Sequence, residues 1–307
     1  MNNKDIIFIV LTYQRPKVLG MCIDSLFNNT KIKPSETWIL DDASDKDIQK
    51  SILEFSQHNS QNTPIHTIFN GKNLGVGCQF ERIFNLIKQR DPEIVCIIES
   101  DYIFRNEWLE DVCAVFDAAP YTVGIPGVDH ADMYIRQKTH GEFIDLMVAQ
   151  FGEDLKSRED LYKPFSLNTE RGPIKVFGAS NTCGCQILHW KRIKDLFFKN
   201  LNIEKDYWHW MERGFHKWGG ERRFASDAHM SGTHSYYWDK WAQKNGIDTS
   251  KNFGYLNICD SAISVHLASQ GINGKLDPRV FPEGTTFQGV NGDNFPTDYK
   301  TWTRNAK

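Results

Sequence analysis

An α/β architecture with a mostly parallel sheet is what this 307-residue sequence predicts, and three observations predict it. Short continuous apolar runs alternate with amphipathic stretches of helical period through the first 125 residues. The runs are rich in β-branched residues, as strands covered on both faces require. The connections are short, which implies right-handed crossovers and helices on both faces of the sheet.

The first run is Ile6 to Leu11. After Thr12-Tyr13-Gln14-Arg15, Pro16 suits a first helical turn, where its missing N–H costs nothing. Leu19, Cys22, Ile23 and Leu26 then repeat at one face of a helix. Thr37 to Leu40 is a second strand, ending in Asp41-Asp42-Ala43-Ser44. Ser44, with Asp47 three places on, predicts an N-cap for a helix carrying Ile48, Ile52 and Phe55. Ile65 to Phe69 is a third strand, and Phe80, Ile83, Phe84 and Ile87 mark a third helix. Ile94 to Ile98, the most β-branched run, leads directly into Glu99-Ser100-Asp101.

Beyond Pro126 the alternation weakens. Residues 129–175 are polar and irregular, whereas Val176 to Leu267 is denser and ends in a strand-like Ala262 to His266. The expected organisation is an alternating α/β half over 1–125, a second, irregular half over 126–268, and a tail over 269–307.

Composition narrows the function. With 40% hydrophobic and 24% charged residues the chain is ordinary globular protein, and no apolar run reaches the ~20 residues of a membrane span. A net charge of −3 gives no electrostatic case for duplex nucleic acid. Arg213, Lys217, Arg222 and Arg223 leave an anionic acceptor open, though a solvated face is the better reading. Seven scattered cysteines read as reduced thiols, and the apolar run at Ile6 is too short for a signal-peptide core. A cytoplasmic protein is expected.

In open α/β sheets ligands sit beyond the carboxyl ends of the strands, and four polar clusters fall there: 12–15, 41–44, 70–77 and 99–101. Glu99 and Asp101, just past a buried strand, are costly unless paired or bound to a cation. A hard divalent ion with diphosphate completing its shell is one solution. The first turn has no glycine and no P-loop lysine motif is present, which disfavours NAD and ATP sites.

Ile9-Val-Leu-Thr-Tyr-Gln-Arg-Pro16, Trp38-Ile-Leu-Asp-Asp-Ala-Ser44, Asn73-Leu-Gly-Val-Gly77 and Glu99-Ser-Asp101, in that order, resemble the nucleotide-binding half of GT-A glycosyltransferases, especially family 2. The resemblance implies a Rossmann-like, mostly parallel sheet flanked by helices, with an irregular acceptor-binding half. It implies a metal-dependent enzyme that moves a sugar from a nucleotide-sugar, UDP by default, to a carbohydrate or other hydroxyl acceptor with inversion. On it, Thr12, Tyr13 and Arg15 border the nucleotide, Asp41 or Asp42 accepts a hydrogen bond from the base, and Asn73 and Gly75 close that pocket. Asp101 matches the last acid of the family's D-x-D and binds Mn²⁺ or Mg²⁺, with Ser100 beside it and His266 completing the metal shell. The first acid is Glu99 instead of Asp, able to reach the ribose or a metal-bound water, or to serve structure alone.

Inverting transfer needs a base for the acceptor hydroxyl. Asp227 is the first candidate, with Asp239 and His234 behind it. The tryptophans between 190 and 241, Trp208 and Trp210 foremost, suggest an aromatic wall for an acceptor sugar, and 178–184 a small-residue loop near the donor. The alternatives are a catalytically silent carbohydrate- or nucleotide-binding protein on this scaffold, or a sugar nucleotidyltransferase; the latter usually has a Gly-rich basic loop that residues 12–16 do not match.

Overall fold

The structure is a computed structural model that describes residues 4–59, 63–127, 164–179, 185–218, 225–258 and 263–266. The apolar runs form β1 (Ile6–Thr12), β2 (Glu36–Asp41), β3 (Ile65–Phe69) and β4 (Ile94–Glu99). Between them lie α1 (Pro16–Asn28), α2 (Lys46–Asn59) and α3 (Gly75–Arg90). Every residue of β1 is buried, as a strand covered on both faces demands. On α1, Val18, Leu19, Cys22, Ile23 and Leu26 face the core, each burial contributing about 1.5–3 kcal/mol for a large aliphatic side chain.

Then follow β5 (Tyr102–Phe104), α4 (Trp108–Ala118), β6 (Gly124–Pro126), the hairpin β7 (Phe165–Thr169) and β8 (Gly172–Ala179), and β9 (Cys185–Leu188). A helical turn α5 (Trp190–Arg192) runs into a π-helical segment (Ile193–Lys199). Two long helices, α6 (Glu204–Trp218) and α7 (Ala225–Asn245), precede β10 (Tyr255–Ile258) and β11 (Ser264–His266). The hairpin thus supplies order within the stretch the sequence leaves irregular.

Nine strands make one sheet in the order β3-β2-β1-β4-β9-β6-β10-β8-β7. Pairing is parallel from β3 through β4 and between β6 and β10, and antiparallel where β9 and β8 enter. Only β8 and β9 are therefore reversed. The sheet is mostly parallel, and it continues from the first half of the chain into the second. β11 pairs instead with β5 in a separate two-stranded ribbon. Among the described residues no helix is long and apolar enough to cross a membrane.

The second half closes around aromatics. Phe84 of α3 meets Tyr207 and Trp208 of α6, and Lys88 lies 5.0 Å over the Trp208 ring. Since α3 descends from the carboxyl edge of the sheet, these contacts seat the start of α6 against the lower half of α3. Helix α7 returns beside α6 in the opposite sense, because Trp210 bonds Thr233 while His229 reaches the carbonyl of Trp210. Gly214 allows this approach: a Cβ there would lie 2.0 Å from the His229 ring nitrogen.

Candidate functional site

Strands β1 and β4 are neighbours although three helices separate them in sequence, so the chain reverses its direction across the sheet between them. A crevice opens at such a switch point. Backbone bonds extend the ladder one step past the strands. Ser100 N–H donates to Leu11 O at 2.9 Å, Asp42 N–H to Thr12 O at 2.9 Å, and Asn70 N–H to Asp41 O at 3.0 Å. The four polar loops are thereby held at one level, as the sequence predicts.

Across the crevice, Arg15 Nη1 donates to Asp101 Oδ2 at 3.1 Å. The carboxylate side chain is 12% exposed and the guanidinium 34%, so the acid sits at the floor and the cation at the mouth. A nearly buried carboxylate needs such a partner. Thr12, Ser100 and Asp101 are all buried at this rim, Glu99 is half-buried, and Tyr13 is 44% exposed with its ring surface available. The Thr12 hydroxyl is buried without a protein hydrogen-bond partner.

The paired acids Asp41 and Asp42, expected to meet the base, also tie the rim loops to one another. Asp41 accepts from Ser44 N–H at 2.9 Å and Gln49 Nε2 at 3.2 Å, and pairs with the Ser44 hydroxyl. Asp42 accepts from Asn70 Nδ2 at 2.7 Å, Leu74 N–H at 2.9 Å and Gly75 N–H at 3.0 Å. It thus caps α3 from another loop, satisfying N–H groups that a helix start leaves orphaned. Asn73 joins it by accepting from Gly75 N–H at 3.1 Å. Arg82 holds the other end of Asn70. Ser44 is not the N-cap the sequence suggests. It is consumed by Asp41 and by Gln14 N–H at 2.7 Å, which locks the first loop to the second.

Backbone strain gathers here too. Gln14, Arg15 and Ala43 have φ of 56°, 56° and 67°, and Gly75 has φ of 80°. Non-glycine residues in the left-handed region are held there by their surroundings, and they cluster at functional sites. At Arg15 the bend lifts the side chain over the crevice while Pro16 starts α1.

His266 lies opposite Tyr102 in the β11–β5 register, one residue from Asp101. Its side chain is outside the described residues, and among the described residues no group of three or more His, Cys, Asp or Glu side chains is gathered for a metal. The available donors are nonetheless of the right kind for a hard divalent ion: Asp101 beside a cation, Glu99 on the same rim, and His266 by backbone position.

Asp227 belongs to the first turn of α7, and its side chain is outside the described residues. Asp239 is not brought to the rim. It is exposed beside Trp238, whose Nε1 donates to Tyr121 O near the amino end of β6. His234 is removed from the site as well: fully buried, it bonds Tyr207 OH at 2.8 Å and Tyr255 OH at 2.7 Å. Burial pushes its pKa down to about 3.

The aromatics expected to form an acceptor wall divide between the second core and its edge. Trp190, Trp208 and Tyr207 pack on one another and on Phe198, Trp210 bonds α7, and Trp238 packs against Trp241. Trp190, Tyr207, Trp238 and Trp241 are buried in the second core, whereas Trp208 and Trp210 are half-buried at its edge. The loop 180–184 lies outside the described residues.

Sequence reasoning misses Gln14, Gln49, Asn70 and Arg82 as latches of the rim. Their signal is weak, since ties between loops distant in sequence, three through side chains and one through the Gln14 N–H, leave no spacing pattern. Burial raises the Cys22 thiol pKa, so this neighbour of Glu99 O stays protonated.

No curated protein matches the chain. Similar solved structures include a mannosyltransferase from Pyrobaculum calidifontis in complex with GDP-Man and Mn²⁺, with 13% identity and TM-score 0.47 over 86% of this chain and 57% of that one. S. aureus TarS 1-349 gives 14% identity and TM-score 0.47 over 87% and 61%. Mouse xyloside xylosyltransferase 1 gives 10% identity and TM-score 0.40 over 85% and 97%. The chain thus spans about six-tenths of the length of the first two. The family described as glycosyl transferase family 2 matches residues 7–187, more than half the sequence and all four rim loops. The chain belongs to glycosyl transferase family 2.

Proposed function

We propose that this family member moves a sugar from a nucleotide-sugar, a UDP-sugar on the family resemblance, to a hydroxyl acceptor with inversion, using Mn²⁺ or Mg²⁺ at Asp101. The observation that carries the reading is the Asp101–Arg15 pair at 3.1 Å in the β1/β4 crevice, with the 41–44 loop locked against it. A donor nucleotide lies along 12–15 and 41–44, with the Tyr13 ring against the base. Residues 1–125 bind the donor and 126–268 shape the acceptor side.

Asp101, with Glu99 and His266, would hold the ion, which when bound would supply charge stabilisation for the departing diphosphate. Arg15, within the same crevice, places a guanidinium where diphosphate oxygens gather. Asp41 and Asp42 fix the loops before substrate arrives, so the site is preorganised. Asp227, in the first turn of α7, takes the acceptor proton, ahead of Asp239, whose neighbour Trp238 bonds Tyr121 O near the amino end of β6. The five described cysteines are free thiols, which supports a reducing, cytoplasmic setting.

Asp101→Asn should lower turnover by about 10³-fold and abolish the metal-dependent thermal stabilisation by a nucleotide-sugar. Wild-type turnover in that variant would falsify the assignment.

A further inference from the structure

We infer that Arg15 is an internal counter-ion that holds Asp101 before substrate binds, yields it to the divalent ion, and then engages the diphosphate. The inference rests on the metal assignment above and adds a positioning role for Arg15. Asp101 is too buried to stand ionised alone, and Arg15 is a cation that reaches it, from 86 positions away in sequence. The contact uses Nη1, one of five donors on the guanidinium, and leaves a third of that side chain in solvent. It is an end-on contact that can be replaced. The bidentate geometry that makes Arg–carboxylate pairs strong is absent from it.

The backbone shows what keeps the arginine in place once the carboxylate is surrendered. Gln14 and Arg15 both sit at φ 56°, and the turn is tied by Gln14 N–H to Ser44 Oγ at 2.7 Å and by Leu19 N–H to Arg15 O at 3.0 Å. Neither tie involves Asp101. The side chain therefore stays over the crevice when its partner changes. A divalent ion and a guanidinium on one carboxylate repel each other, so metal and Arg15 compete while the site holds no phosphate. Diphosphate reverses the sign, since it offers oxygens to both cations. Metal alone is thus held weakly, and metal with nucleotide strongly.

Two titrations test this on the full-length protein: Mn²⁺ alone, followed by the loss of its free EPR signal, and UDP at saturating Mn²⁺, followed calorimetrically. Arg15→Gln should bind Mn²⁺ alone about tenfold more tightly and UDP about tenfold more weakly, a coupling of ordinary size. Arg15→Lys, which keeps the charge, should move both values less. A general structural lesion would weaken both ligands, and that outcome, or unchanged Mn²⁺ affinity, overturns the inference. Asp101→Asn separates the two proposals. Loss of Mn²⁺ binding there with no gain in Arg15→Gln removes the counter-ion role alone. Retained Mn²⁺ binding there removes the metal assignment and the counter-ion role with it.

Discussion

The two halves of this molecule use polar side chains in opposite ways. Between β1 and β4, the buried groups Asp41, Asp42, Ser44 and Asn70 lie beyond the strand ends and tie loop to loop around an open crevice. From α6 to β10, the buried polar groups lie inside an aromatic core and are used up there. Asp41, Asp42 and Asp101 keep a rim ready for a ligand, whereas His234 holds two helices and a strand together. A residue type alone therefore does not indicate a site. What decides is whether its hydrogen bonds close on the core or on the edge of a sheet.

His234→Ala gives the largest effect expected from this contrast. It leaves a cavity and two buried tyrosine hydroxyls without a partner, which should cost about 4–5 kcal/mol in urea denaturation. A loss under about 1 kcal/mol would mean that the triad is not a structural centre. The same burial makes the second core acid-sensitive. Burial lowers the pKa of His189 and His234 to about 3 and that of His229 to about 4. The unfolded chain takes up protons below about pH 6.5 that the native state refuses, so stability should fall steadily from pH 6.5 towards pH 4. Thermal midpoints flat over that window would contradict neutral buried histidines.

On the rim side, Asp42→Ala removes three acceptor contacts at the start of α3. About 3 kcal/mol of stability should go with them, since bonds to a charged group are the stronger kind. UDP affinity should fall as well, because the 70–75 loop loses its anchor. Stability lost with UDP binding intact would place Asp42 in the fold alone.

These outcomes also show what was legible beforehand. Strands β1 to β4 and their helices were plain because a parallel sheet writes its pattern locally, in apolar runs such as Ile94–Ile98 and in helix faces such as Leu19–Leu26. The rim followed from topology, since every connection in such a sheet returns ligand loops to one edge. Asp101 beside residues 12–15 was therefore readable. The bonds that Asp41 and Asp42 make were not, because Asn70 and Gly75 meet Asp42 only after the loops have converged. Nor was the fate of the aromatics. Trp208 and Trp210 have the same sequence signature inside a core as at its edge, and only the antiparallel seating of α6 on α7 leaves both half-buried. The hairpin β7–β8 escaped for a related reason: its partner β10 lies some eighty residues on, and alternation in Phe165–Thr169 is half-exposed and short.

The smallest effect separates the halves most cleanly. Gly75 has φ of 80° at the first turn of α3, and Gly246 has φ of 64° just past the end of α7. Alanine in the left-handed region costs about 1–2 kcal/mol, offset by roughly 0.4–1 kcal/mol from a stiffer unfolded chain. Each Gly→Ala change should thus cost about 0.5–1 kcal/mol, with no clash at position 246, where a Cβ meets open space. Equal stability losses with unequal binding is the informative result. Gly75 N–H donates to Asp42, so moving it disturbs the latch over the nucleotide and should weaken UDP several-fold, whereas Gly246→Ala should leave UDP affinity unchanged. Matching UDP affinities in the two variants would mean that the start of α3 holds its place without the rim, and the division between a ligand-facing and a core-facing use of polar groups would no longer apply there.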